Sequence, residues 1–133
     1  SLCSLFSKRK RMGYSLGVRD SIMIAHSFKG AEFGPAQGVH GATYTVDCEF
    51  SSINLVPGSN WVVDIGKALQ VLSDVLKVYN YKNLDDLEEF KGQNTTTEFM
   101  CKVIHDKVSW EMKEHVTGDL KITLHESHKA WAS

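Results

Sequence analysis

Apolar and polar residues alternate with a period of two from Tyr14 to Phe28. Tyr14, Leu16, Val18, Ile22, Ile24 and Phe28 fall on one face, and Ser15, Gly17, Arg19, Ser21 and Ser27 on the other. That is the pattern of a half-buried β-strand. A second such stretch follows, in which Ala42, Tyr44, Val46, Cys48 and Phe50 alternate with Thr43, Thr45, Asp47 and Glu49; it is expected to lie antiparallel to the first. Between them the run from Gly30 to Gly41 is rich in glycine, contains Pro35 and is too irregular for a regular element. After the turn residues Pro57-Gly58-Ser59-Asn60, the spacing changes to that of a helix at Ile65, Leu69, Leu72, Leu76 and Tyr79, with Asp64 placed to cap it. The polar stretch Asn80 to Gln93 separates this helix from a second one. There Thr95 and Glu98 match a capping box, and Phe99, Met100, Val103, Ile104 and Val108 recur at helical spacing. Alternation returns at Leu120, Ile122 and Leu124, and Ala130-Trp131-Ala132 is expected to continue that strand or to form a fourth. The order strand, strand, helix, helix, strand predicts an α+β domain with two helices on one face of an antiparallel sheet.

The interruptions of the apolar faces carry the candidate chemistry. His26 falls in the series Ile22, Ile24, His26, Phe28. His40 extends the face of Ala42, Tyr44 and Val46, while Glu126 and then His128 extend that of Leu120, Ile122 and Leu124. Ionisable groups on a core-facing side are costly unless paired or bound to a ligand or metal. Two strand-borne histidines supply two ligands for Zn²⁺, whose catalytic sites typically use three protein ligands and one open position, with His128 a candidate third. His105 and His115 are expected on the surface, and His125 is expected to face away from Glu126 in a structural role. No H-E-x-x-H, P-loop or G-x-G-x-x-G motif is present.

Composition narrows the class. The 133 residues suit a single domain, and 42% apolar with 23% charged residues is an ordinary globular balance. A formal net charge of −1 gives no global attraction to nucleic acid or an anionic membrane, and no apolar run approaches the ~20 residues of a membrane span. Cys3, Cys48 and Cys101 are scattered and odd in number. They argue against a disulfide framework and for a reducing, intracellular setting, cytoplasmic or in an organellar matrix. Residues 1–12, with the basic cluster Lys8-Arg9-Lys10-Arg11, are expected to be a disordered tail; their apolar and charged parts stand in the wrong order for a secretory leader. Residues 13–133 are expected to form the folded domain.

Several short segments occur in an order that resembles one family. Ile24-Ala25-His26-Ser27-Phe28, His40-Gly41 leading into a strand, and Val63-Asp64-Ile65-Gly66 come first. Tyr81-Lys82-Asn83-Leu84-Asp85, Asn94-Thr95-Thr96-Thr97-Glu98 and His125-Glu126-Ser127 follow. From about Tyr14 to Ser133 the chain resembles the 6-pyruvoyltetrahydropterin and 6-carboxytetrahydropterin synthases. The resemblance implies the tunnelling (T-) fold, a hexamer of two trimers with sites between subunits, and a zinc ion orienting the side chain of 7,8-dihydroneopterin triphosphate. It also implies a glutamate that anchors the pterin ring; Glu126 matches that anchor, and Thr96 and Thr97 would line its pocket.

The departures from the family pattern are specific. The family's second strand carries His-x-His, whereas His40 is followed by Gly41 and Ala42, so one zinc ligand is missing. Ala36 stands where the family's catalytic cysteine lies, and Asn80-Tyr81 stands where its Asp-His proton-transfer pair lies. Asparagine is no base, and a phenol with an ordinary pKa of about 10 is a poor one at neutral pH. Two functions are compatible with this pattern. One is a zinc-dependent carbon–oxygen lyase of the pterin pathway with non-standard catalytic groups, Glu32 and His128 being the candidates, with Gln37 a further one. The other is a catalytically silent member kept as a pterin-binding or assembly subunit.

Overall fold

The computed structural model describes residues 13–133; the basic segment 1–12, with its expected disorder, lies outside the described residues. Strand β1 (Tyr14–His26) and strand β2 (His40–Ser52) pair antiparallel along their whole length, Tyr14 opposite Ser52 and His26 opposite His40. Their even-numbered side chains, Val18, Ile22, Ile24, Tyr44, Val46, Cys48 and Phe50, are buried, as the alternation requires. β4 (Asp119–Ser127) pairs antiparallel with β2, and β5 (Ala130–Ala132) folds back on β4. Gly118 permits this start: a Cβ there would lie 1.8 Å from the carbonyl oxygen of Ser51.

The sheet differs from the expected all-antiparallel arrangement at one edge. The two-residue β3 (Lys82–Asn83) runs parallel to β1, placing Lys82 opposite Ile24 and Asn83 opposite Ala25, so the strand order is β3-β1-β2-β4-β5. The chain reaches that edge by way of helix α1 (Ile65–Lys77), a helical connection of the kind a parallel pair needs. Asp64 caps α1 by accepting from the Gly66 amide at 2.9 Å.

Helix α2 (Thr97–Glu111) begins one residue later than the sequence pattern suggests. Its cap is Thr96, whose hydroxyl accepts from the Phe99 amide at 3.2 Å, and Thr95 is freed to turn into the core. Ala68, Leu72 and Leu76 of α1 and Met100, Ile104 and Val108 of α2 join the buried sheet residues in one core. Sealing a side chain such as Leu72 contributes about 1.5–3 kcal/mol. Both helices cover the even-numbered face, and the opposite face carries Arg19, Thr45, Asp47 and His125. No helix among the described residues is long and apolar enough to cross a membrane.

Candidate functional site

His26 ends β1 and His40 opens β2, so the strand register itself sets them opposite each other. Their ring centroids lie 4.6 Å apart, edge to face. Phe28 packs against both, at 4.6 Å from His26 and 5.5 Å from His40, and Phe33 packs on Phe28 at 4.8 Å. That stack ties the 3₁₀ segment Ala31–Gln37 to the histidine pair.

His26 is 1% exposed. Its Nδ1 lies 3.0 Å from Thr95 Oγ1, while its Nε2 is buried with no partner among the described residues. Burial lowers the pKa of His26, and repulsion from a charged His40 lowers it further, against opposing contributions from Thr95, Asp85 and Glu126. The ring is therefore neutral at pH 7, the form able to bind a metal or accept a proton. His40 donates from Nδ1 to the Gly38 carbonyl at 2.9 Å, leaving Nε2 as its basic nitrogen in the neutral ring. In both rings one nitrogen is held by the protein and the other is spare, the way metal-binding imidazoles are usually oriented.

The third ligand is missing, however. Among the described residues no group of three or more His, Cys, Asp or Glu side chains could hold a metal ion. Ala42, two residues after His40 on β2, offers only a methyl group. Two imidazoles alone fall short of the three protein ligands typical of catalytic zinc, so the residues present do not make a complete zinc site.

Glu126 lies near the end of β4 and accepts from Thr97 Oγ1 at 3.3 Å. Thr97 is the first residue of α2, so the carboxylate sits at a helix N-terminus, where unpaired amides and the helix dipole favour negative charge. Thr97 stands two residues after Thr95, the partner of His26, so the carboxylate lies at the same end of the sheet as the histidines. The exit of β1 is held rigidly. Ser27 Oγ donates to Asp85 Oδ2 at 2.6 Å, and the Asn94 side chain bonds both the amide and the carbonyl of Lys29, at 2.8 and 3.0 Å.

The other candidates are dispersed. Glu32 sits on the exposed side of the 3₁₀ segment with its carboxylate against Gly30, 2.5 Å from where a Cβ would stand; Gly30 has φ 130° and could not carry a side chain there without strain. His128 does not share the face of Glu126. A register shift between His125 and Ser127 breaks the period-two parity, and His128 instead lines a hollow on the helix-free face with Arg19, Thr45, His125 and Trp131. His125 does face away from Glu126, its Nε2 2.9 Å from Asp47 Oδ2. Asn80 and Tyr81 are used by the sheet edge: Asn80 Oδ1 accepts from the Met23 amide at 2.9 Å, and the Tyr81 amide donates to the Met23 carbonyl at 2.7 Å. Tyr81 takes the left-handed conformation, φ 61°, to do so. Cys48 and Cys101 are core thiols. Burial pushes Cys48 up to about 12 and also raises Cys101, so neither is a ready nucleophile.

Two residues of this site escape a pattern reading. Thr95, read as a cap, is the buried partner of His26. Tyr44, read as core, is fully buried with a hydroxyl that has no partner among the described residues.

This arrangement of sheet, helices and strand-end histidines is the T-fold of the pterin synthases. A 6-pyruvoyl tetrahydropterin synthase from Caenorhabditis elegans superimposes with a TM-score of 0.77 at 25% identity, over 90% of this chain and 93% of that one. The Plasmodium falciparum synthase gives 0.71 at 16% identity, over 90% and 95%. A Plasmodium vivax synthase altered at a glutamate described as its catalytic residue gives 0.69 at 17%, over 92% and 96%. Among curated protein sequences none matches the chain. The sequence model of the family described as 6-pyruvoyl tetrahydropterin synthase matches residues 15–133, and the chain belongs to that family.

Proposed function

We propose that the chain acts on 7,8-dihydroneopterin triphosphate or a closely related pterin as a carbon–oxygen lyase with non-standard catalytic groups. The observation that carries this reading is the contact of Thr97 with Glu126 at the N-terminus of α2, at the same end of the sheet as the neutral, half-satisfied His26. A carboxylate so placed accepts two hydrogen bonds from adjacent N–H groups of a pterin ring, the geometry in which charge-assisted bonds are strong. Thr96, by capping the helix, fixes the first turn from which Thr97 projects.

In this reading Glu32 is the base that takes a proton from a side-chain carbon. The C–H electrons form a carbon–carbon double bond, and the C–O bond breaks with its electrons leaving on triphosphate. The glutamate described as catalytic in the Plasmodium vivax synthase supports a carboxylate in that role. His128, on the opposite face, takes no part. Zinc enters only as an ion held by His26 and His40 with further ligands from outside the described residues. Metal analysis of the protein and of His26→Ala tests this, and equal metal content in the two would remove the site. The short outer strands β3 and β5 suit a homo-oligomer in which neighbouring copies close the sheet edges.

The test is consumption of dihydroneopterin triphosphate by the protein and by Glu126→Gln. Loss of charged hydrogen bonds of about 1.5–3 kcal/mol weakens pterin affinity roughly 10- to 100-fold and abolishes turnover at low substrate. Tight pterin binding without turnover in the unaltered protein would reduce the site to a binding module; no binding at all would end the pterin reading.

A further inference from the structure

Asn94, Thr95 and Thr97 belong to the short run that leads into α2, and each holds a different residue of the site. Thr97 donates to Glu126 at 3.3 Å, and Thr95 Oγ1 lies 3.0 Å from His26 Nδ1. Asn94 holds Lys29: its Oδ1 accepts from the Lys29 amide at 2.8 Å, and its Nδ2 donates to the Lys29 carbonyl at 3.0 Å. One side chain thereby fixes both backbone polar groups of a loop residue, which narrows the directions open to the lysine side chain. Lys29 itself is exposed and makes no ion pair among the described residues. It follows Phe28, the ring packed on both histidines. Charge gives the clamp a use. Asp85 accepts from Ser27, Glu32 lies against Gly30 and Glu126 accepts from Thr97, so this end of the sheet carries three carboxylates beside the histidine pair. A triphosphate brought there meets like charge, which costs affinity unless a cation is supplied. Lys29 is the cation that the run from Asn94 to Thr97 itself holds in place.

We infer that Lys29 receives the phosphates of a pterin triphosphate, its ammonium donating to their oxygens and its place set by Asn94. The inference rests on Glu126 being the pterin anchor. From Asn94 to Thr97 the chain advances three residues, at most about 10 Å. The groups it holds come in the order of the parts of that ligand: Glu126 for the ring, His26 beside the three-carbon side chain, Lys29 for the triphosphate. A lysine suits the outer position. Its ammonium is a strongly hydrated point charge with three donors on a flexible stem, able to follow a chain of phosphates that stays in water.

Two probes separate the inference from the reading it rests on: neopterin and neopterin triphosphate, each titrated by its own fluorescence. Lys29→Gln is expected to weaken the triphosphate about tenfold and to leave neopterin unchanged, because only the phosphates meet the ammonium. That loss should shrink in 1 M salt, as a contact between exposed charges does. Asn94→Ala keeps the charge but frees the backbone of Lys29, and is expected to weaken the triphosphate about threefold, again with neopterin unchanged. Lys82 stands at the same end of the sheet, opposite Ile24, and Lys82→Gln is expected to change neither affinity. Equal triphosphate affinity in Lys29→Gln and the unaltered protein, or an equal loss for both probes, overturns the inference and leaves the anchor standing. So does a loss in Lys82→Gln as large as that in Lys29→Gln, which would mean diffuse charge and no specific contact. No neopterin binding by the unaltered protein, at concentrations where a family synthase binds, overturns both.

Discussion

The two faces of the sheet treat histidine in opposite ways. On the helix-free face His125 is half-buried, with Nε2 2.9 Å from Asp47; Asp47 also receives the fork of Arg19, whose Nη2 lies 2.9 Å from Oδ2. Trp131 packs beside the imidazole, with ring centroids 6.2 Å apart, and water reaches the cluster. On the core face His26 is sealed, held at one nitrogen by Thr95 and left without a partner at the other. Both are strand-borne histidines within two residues of a strand end, but only His26 interrupts an apolar face. What separates them is burial: each uses one ring nitrogen, but only His26 seals its second nitrogen away from water. A protein that seals a neutral imidazole and leaves one nitrogen unpaired is holding that atom for something other than stability.

The largest expected effect tests that contrast directly. His26→Ala removes a fully buried ring from a packed cluster with Phe28 and His40, and is expected to lower unfolding free energy by about 2–4 kcal/mol. His125→Ala, on the wet face, is expected to cost under about 1 kcal/mol. Urea denaturation of both variants at pH 7 measures the difference; equal losses would erase the distinction between the two faces. A smaller effect is expected from Thr95→Val, which keeps shape but removes the partner of His26 Nδ1. It should cost about 1–2 kcal/mol, because an imidazole nitrogen is then stranded in the core. If Thr95→Val is neutral by the same measurement, His26 is not held where the 3.0 Å contact puts it.

The period-two pattern made most of the sheet legible in the sequence. The existence and pairing of β1 and β2, the cap at Asp64 and the core-facing placement of His26 and His40 follow from alternation and helix spacing. β1 stops at His26, however, short of the expected Phe28, and β2 runs from His40 to Ser52, beyond the expected stretch. Parity failed where the backbone stopped obeying it. The register shift between His125 and Ser127 carried His128 to the other face, and no feature of the residues His125-Glu126-Ser127-His128 announces that shift. In the run Asn94-Thr95-Thr96-Thr97-Glu98 the spacing to Glu98 pointed to Thr95 as the cap. Only packing decided that Thr96 would cap, Thr95 would turn inward to His26, and Thr97 would reach Glu126. The parallel pairing of β3 was hidden because two residues are too few to show any period. Tyr44 was invisible as a polar group because its position on the apolar face explains the ring and says nothing of the hydroxyl.

The smallest effect belongs to the helix-free face and concerns acid. The hydrogen bond from Arg19 holds the carboxyl of Asp47 below the ordinary aspartate value, with His125 assisting and a little burial opposing. The folded protein therefore takes up this proton less readily than the unfolded chain. The resulting stability is present in full above the ordinary aspartate pKa of about 4 and is lost as pH falls through the lower folded value. Asp47→Asn has no such carboxyl to protonate. The stability gap between the unaltered protein and Asp47→Asn is thus expected to be under about 1 kcal/mol at pH 7, because the carboxylate stays in reach of water. It should shrink in 1 M salt and close between pH 4 and pH 2. Urea midpoints of the two proteins across that range measure it. A gap that does not change with pH would mean that the open-face cluster, for all its hydrogen bonds, contributes nothing through charge, and that the two faces differ in burial alone.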